Sequence, residues 1–268
     1  MGRYMHSFYR QKTIYCGKNY REIDIYQYTA IQKKTAKGRR AKKKKISPPK
    51  QKNLNEKNAR RFFRQKLKAN FKEGDYHVVL TYQKKNLPKS EEEAERNMKN
   101  FLARLSRIRK KKGLPPLKYM YVTESPRMHH HLVTNGDGIT GVEICDLWRT
   151  PKKRGQKKGE MIGIANADYL WELDGGLDPL GEYLMKNPKG KKRWHSSKNL
   201  INPEYRTNDE KFSRHKIARL ANEPFDREFW EREYPGWTIT NEMYGYESVY
   251  NELTGWSIYL KLRRKDTS

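Results

Sequence analysis

The stretch K-Y-M-Y-V-T-E-S-P-R-M-H-H-H-L-V-T-N, residues 118–135, limits the fold more than any other part of the chain. On both sides of Ser125-Pro126-Arg127 the residues alternate as strand residues do, which predicts a β-hairpin and therefore an antiparallel sheet. Y-H-V-V-L-T-Y, from Tyr76, is rich in β-branched and aromatic residues and reads as a buried strand. Between the two, Ser90 and Glu93 have capping-box spacing, and Ala94, Met98, Phe101, Leu102 and Leu105 form one stripe. That pattern predicts a helix to about Lys111, ended by Gly113 and Pro115-Pro116. An earlier amphipathic helix is predicted from Asn53, with Ala59, Phe62, Phe63, Leu67 and Phe71 at helical spacing. Helices layered on an antiparallel sheet make a mixed α/β, or α+β, domain.

On an extended strand successive side chains point to opposite faces, so His129 and His131 share one face and His130 takes the other. Two imidazoles so placed are able to grip one metal ion. A hairpin loop of two or four residues sets Glu124 opposite His129 on that face, whereas a three-residue loop turns it away. Two nitrogen ligands and one oxygen ligand then converge, with open positions for substrate and water. The plainer alternative is a hydrogen-bonded polar patch.

Charge indicates the partner. The 268 residues carry 59 Lys and Arg against 31 Asp and Glu, a formal net charge of +28. Such an excess calls for a polyanion, and nucleic acid fits because each phosphate contact releases condensed counterions. A membrane surface is not expected, because no long apolar span, signal peptide or lipidation motif is present. Cys16 and Cys145 are too few for a zinc knuckle or a disulfide framework, which suits a reducing cytoplasm. From Lys33 to Lys52 basic residues recur without an acid, and Ser47-Pro48-Pro49 breaks any helix. This predicts an arm that orders on an anionic partner, with a solvated linker as the alternative.

Further on, Asp178 as N-cap and Pro179 at the first helical position predict a short helix to about Asn187, stopped by Pro188. Tyr183 and Lys186 then share one face of it, and Leu180 and Leu184 anchor the other.

V-L-T-Y at 79–82, E-S-P-R-M-H-H-H-L-V at 124–133 and Y-L-M-K at 183–186 occur in the order of the three motifs of the HUH endonucleases. The chain resembles their rolling-circle replication initiator (Rep) branch, as encoded by bacterial plasmids, phages and integrated elements. It departs from the pattern at His130, where the family's middle position is hydrophobic. The resemblance implies a central five-stranded antiparallel sheet of RRM-like topology flanked by helices. It also implies a basic N-terminal arm over residues 1–52, an endonuclease domain over 53–205 and a small C-terminal extension over 206–268.

It further implies a divalent ion, magnesium or manganese, held by His129, His131 and Glu124. Tyr183 would attack a DNA phosphate, leaving a 5′-phosphotyrosine and a free 3′-hydroxyl primer, with Lys186 helping to position Tyr183 or stabilise charge. The implied partners are single-stranded or hairpin origin DNA and the host helicase and polymerase, in the cytoplasm of a bacterium.

Lys189, Lys191, Lys192 and Arg193 are candidates to track the DNA backbone, and Trp194 to stack on an unpaired base or to cap the core. Arg39, Arg40, Lys42 and Lys43 would add phosphate contacts from the arm. Tyr169 precedes Tyr183 by fourteen residues, too far for one short helix to present both, so a single nucleophile is expected. Two other functions fit the same residues: a metal-dependent phosphodiesterase using water, and a non-catalytic nucleic-acid binder. No Walker A lysine motif accompanies them, which argues against an attached helicase.

Overall fold

The structure is a computed structural model that describes residues 7–35, 49–186, 193–240 and 245–265. In chain order the elements are β1 (Ser7–Cys16), β2 (Tyr20–Thr29), α1 (Ala30–Thr35), α2 (Pro49–Asn70), β3 (Tyr76–Leu80), α3 (Glu91–Lys111), β4 (Tyr119–Glu124), β5 (His129–Thr134) and α4 (Gly141–Cys145). They continue as β6 (Ala165–Tyr169), α5 (Asp178–Leu184), β7 (His195–Ser196), β8 (Glu204–Asn208), α6 (Arg214–Asn222), α7 (Arg227–Glu233), β9 (Trp237–Ile239), β10 (Tyr246–Asn251) and β11 (Gly255–Arg264). The chain divides into two compact units, and the histidines belong to the one made of Asn70–Glu172 and Leu177–Ile201.

In that unit five strands among the described residues form an antiparallel sheet in the order β6-β3-β5-β4-β7. The chain reaches it as β3, α3, β4, β5, α4, β6, so the two strands of the hairpin are adjacent and each helix links strands separated by one other. Alternation gives the sheet two different faces. Tyr76, Val78, Leu80, Tyr121 and Leu132 pack against Met98, Phe101, Leu102 and Leu105 of α3, with Ile144 and Trp148 closing the layer. Burying one such large apolar side chain stabilises the fold by about 1.5–3 kcal/mol.

The ends of α3 are fixed as its sequence requires. Ser90 Oγ accepts from the Glu93 N–H at 3.3 Å, while the Glu93 carboxylate accepts from the Lys89 N–H, one residue earlier than a full capping box needs. Glu91, Glu92 and Glu93 meet the positive end of the helix dipole, and Arg109, Lys110 and Lys111 the negative end. Arg109 is buried with its guanidinium donating to the carbonyls of Pro115, Asn135 and Gly136 and to the Asp137 carboxylate. A buried charge is tolerated there because its donors are taken up. The same contacts clamp the helix end to the segment that follows the histidine strand.

The other unit comprises the chain up to Ala69, Leu173–Gly176 and the chain from Asn202. Its sheet runs β10-β11-β2-β1-β8, with β9 also paired to β11. Ile23, Ile25, Ile258, Leu260 and Leu262 face Ile217, Leu220 and Trp230 of α6 and α7. On the opposite face of β2, Arg61 of α2 donates to both Glu22 and Asp24, and Gln65 donates to Glu22.

This second sheet differs from the expected division of the chain. Residues 7–29 were expected inside a basic arm and residues 206–268 as a small extension, yet β1 and β2 build one sheet with β8, β10 and β11. The physical reason is the period-two pattern in R-E-I-D-I-Y-Q, which turns Ile23 and Ile25 inward and leaves Glu22 and Asp24 to ion pairs. The expected closing strand G-W-S-I-Y-L-K-L-R-R is β11. Arg39, Arg40, Lys42 and Lys43 lie outside the described residues. Among the described residues, no helix is long and apolar enough to cross a membrane.

Candidate metal centre

The hairpin between β4 and β5 pairs Glu124 with His129 and Val122 with His131, leaving a four-residue loop. The even loop keeps Glu124, His129 and His131 on one face of the sheet. Their candidate ligand atoms all lie within 4.8 Å of one another. Glu124 Oε2 is 3.6 Å from His129 Nε2, and Glu124 Oε1 is 3.8 Å from His131 Nε2. These separations are too long for hydrogen bonds and suit atoms gathered around a common ion.

The protonation pattern agrees with such a role. His129 Nδ1 lies 2.9 Å from the Arg127 carbonyl oxygen, which only accepts, so Nδ1 carries the proton and Nε2 keeps its lone pair for the site. His131 Nε2 is buried and has no hydrogen-bond partner. A buried polar atom left without a partner is uncommon and points to a missing ligand. Burial, then the neighbouring His77 and His129, hold the His131 pKa down at about 4, so the ring is neutral, as a ligand must be.

The middle histidine does something else. His130 is fully buried on the opposite face, with Nε2 2.8 Å from the Tyr82 hydroxyl and Nδ1 2.8 Å from the Thr123 hydroxyl. Its ring meets Tyr82 and Trp148 edge-on. Burial, reinforced by the adjacent histidines, lowers its pKa to about 3. Two hydroxyls therefore satisfy a polar ring set among apolar neighbours.

α5 brings Tyr183 to this cluster. Leu177 occupies the N-cap position, Asp178 opens the helix instead of capping it, and the helix ends at Leu184, short of Asn187. Buried Leu184 and Gly181 anchor it, while Tyr183 is 52% exposed. The Tyr183 ring stands 5.3 Å from that of His131 at 85°. Lys186 follows one turn on, its N–H donating to the Tyr183 carbonyl at 3.2 Å, and its side chain is exposed. Tyr169 instead stacks on Tyr76, 4.6 Å between centroids, on the core face of the sheet and away from the ligands.

Of the basic candidates after α5, Lys189, Lys191 and Lys192 lie outside the described residues. Arg193 and Trp194 are half-buried just before β7, where His195 stacks on Tyr121 at 4.7 Å with 3° between planes.

One neighbour of the site went unnoticed in the sequence. His77 Nε2 lies 3.2 Å from His131 Nδ1, and the rings are nearly parallel, 5.3 Å apart at 13°. Its strand parity was visible, but the pairing of Val79 with His131 that sets it diagonally beside the ligand was not. The chain matches no protein-family model, no curated protein and no solved structure.

Proposed function

We propose that this chain is a rolling-circle replication initiator of the HUH type, which nicks and rejoins single-stranded DNA through Tyr183. The observation that carries this reading is the position of Tyr183 edge-on to His131, beside the Glu124, His129 and His131 cluster. The strand order β6-β3-β5-β4, with helices after β3 and β5, supports reading the sheet as RRM-like.

When bound, a magnesium or manganese ion neutralises charge on the scissile phosphate. Glu124, His129 and His131 would hold it, two imidazoles and one carboxylate leaving room for phosphate oxygen. A free tyrosine titrates at about pH 10 and is a poor nucleophile near neutrality without such charge stabilisation. The Tyr183 oxygen attacks phosphorus as the bond to the 3′ oxygen breaks. The phenol proton is released, the 3′ oxygen takes up a proton, and a 5′-phosphotyrosine remains. Lys186, one turn away and exposed, adds positive charge at the phosphate. Because the ester energy is kept in the new linkage, a later 3′-hydroxyl reverses the step and rejoins the strand.

The freed 3′-hydroxyl would serve the host polymerase, with a host helicase opening the duplex in a bacterial cytoplasm. The net charge of +28 supports DNA as the partner. The test is incubation with single-stranded origin-region DNA and manganese, followed by denaturing electrophoresis. A covalent protein–DNA band supports the proposal. Metal-dependent cleavage without that band makes the chain a water-using phosphodiesterase, and binding without cleavage makes it a nucleic-acid binder.

A further inference from the structure

We infer that His77 is a positioning residue that holds His131 in the tautomer able to bind metal, an inference that rests on the metal-site reading above. A neutral imidazole carries its proton on one nitrogen only. His131 Nδ1 faces His77 Nε2 at 3.2 Å, whereas His131 Nε2 is buried without a partner, and Glu124 Oε1, at 3.8 Å, is too far to accept from it. A proton on Nε2 would be a buried donor with no acceptor. A proton on Nδ1 is taken up by His77 and leaves the Nε2 lone pair directed into the cluster with Glu124 and His129.

His129 divides its nitrogens in the same way, giving Nδ1 to the Arg127 carbonyl and keeping Nε2 for the site. Both imidazoles thus present the same nitrogen, each locked by a protein acceptor, the arrangement that orients histidine ligands in metal sites. His77 itself is no ligand. It addresses the nitrogen of His131 that the cluster does not use and is not among the three residues whose ligand atoms converge. Asp168 is paired with His77 across β3 and β6 and shares its face of the sheet.

The experiment uses the 15N-labelled full chain without metal, reading the His131 tautomer from its ring nitrogen shifts, and then manganese titration followed by electron paramagnetic resonance. The wild type should show His131 protonated at Nδ1. His77→Phe, which keeps an aromatic ring and loses the acceptor, should move the proton to Nε2 and weaken manganese binding about 10- to 100-fold. His77→Gln, whose side-chain carbonyl restores an acceptor, should recover most of both.

A wild-type His131 protonated at Nε2 overturns the inference, as does a His77→Phe variant with unchanged tautomer and affinity. If His77→Phe fails to fold, the wild-type tautomer and the Gln variant decide. Wild-type protein that binds no manganese yet shows the Nδ1 proton refutes the metal reading instead, because the tautomer is measured in metal-free protein.

Discussion

The Tyr183 ring meets the His131 ring edge-on at 5.3 Å, so the proposed nucleophile and the more buried of the two candidate imidazole ligands stand side by side. A short helix held by Leu184 and a strand held by its hairpin supply the two partners, and neither depends on a loop for its placement. Groups set on regular elements keep their geometry better than groups on mobile loops.

His129→Ala or His131→Ala should abolish manganese binding and strand cleavage together, while single-stranded DNA binding in excess chelator stays within about threefold, because phosphate contacts come from separate basic residues. Isothermal titration with manganese and fluorescence anisotropy with an oligonucleotide check the two halves. Full cleavage by the double alanine variant would remove the metal from the account.

His130→Leu separates the two faces of the same strand. It breaks the hydrogen bonds to Tyr82 and Thr123 and should cost about 1–3 kcal/mol in urea denaturation, with manganese affinity unchanged. Adding Tyr82→Phe and Thr123→Val should recover part of that loss. A loss of manganese binding as large as that of His131→Ala would mean that the faces are assigned wrongly.

Glu22 gives the unit containing β2 a pH dependence. Burial raises its carboxyl pKa, but Lys68 and Arg61, with a hydrogen bond from Gln65, outweigh that and bring it down to about 2 from an ordinary 4.5. A depressed carboxylate stabilises the fold above its unfolded pKa, and that contribution is lost as the pH falls from 4.5 towards 2. The amount is on the order of 3 kcal/mol. Melting curves of Glu22→Gln should show lower stability at pH 7 and a flatter decline below pH 4.5. Parallel declines for variant and wild type would contradict the assignment.

Deleting residues 36–48, a run with seven lysines and arginines and no acid, should weaken binding to unrelated DNA sequences about equally. Each lost phosphate contact should reduce the slope of log affinity against log salt by about 0.9 on duplex DNA. An unchanged slope would make the segment a linker.

Much of the site could be read from local pattern. Strand alternation alone put His129 and His131 together, and the capping residues of α3 were visible at Ser90 and Glu93. Glu124 required one further fact, the parity of the hairpin loop, and the four residues between the strands supplied it. What stayed hidden depends on pairing between distant segments. His77 reaches His131 only through the β3–β5 register, and His130 is satisfied by Tyr82, which lies 48 positions away.

The N-terminal hairpin was missed for a different reason. The charge of the neighbouring run outweighed a modest alternation whose apolar partners, Ile258 and Leu260, lie more than 200 residues later. At α5 the boundary moved by a few residues, because buried Leu177 and Leu184 fix its ends where capping and proline signals suggested Asp178 and Asn187.

The central claim is that the Tyr183 oxygen becomes joined to a 5′-phosphate. Mass spectrometry of peptides from the protein–DNA adduct formed with manganese and single-stranded origin DNA measures that linkage directly. The account predicts a nucleotide on Tyr183 and no adduct from Tyr183→Phe, with that variant retaining its fold and manganese affinity. A nucleotide on Tyr169, Tyr205 or any other residue, or an undiminished adduct from Tyr183→Phe, would contradict it.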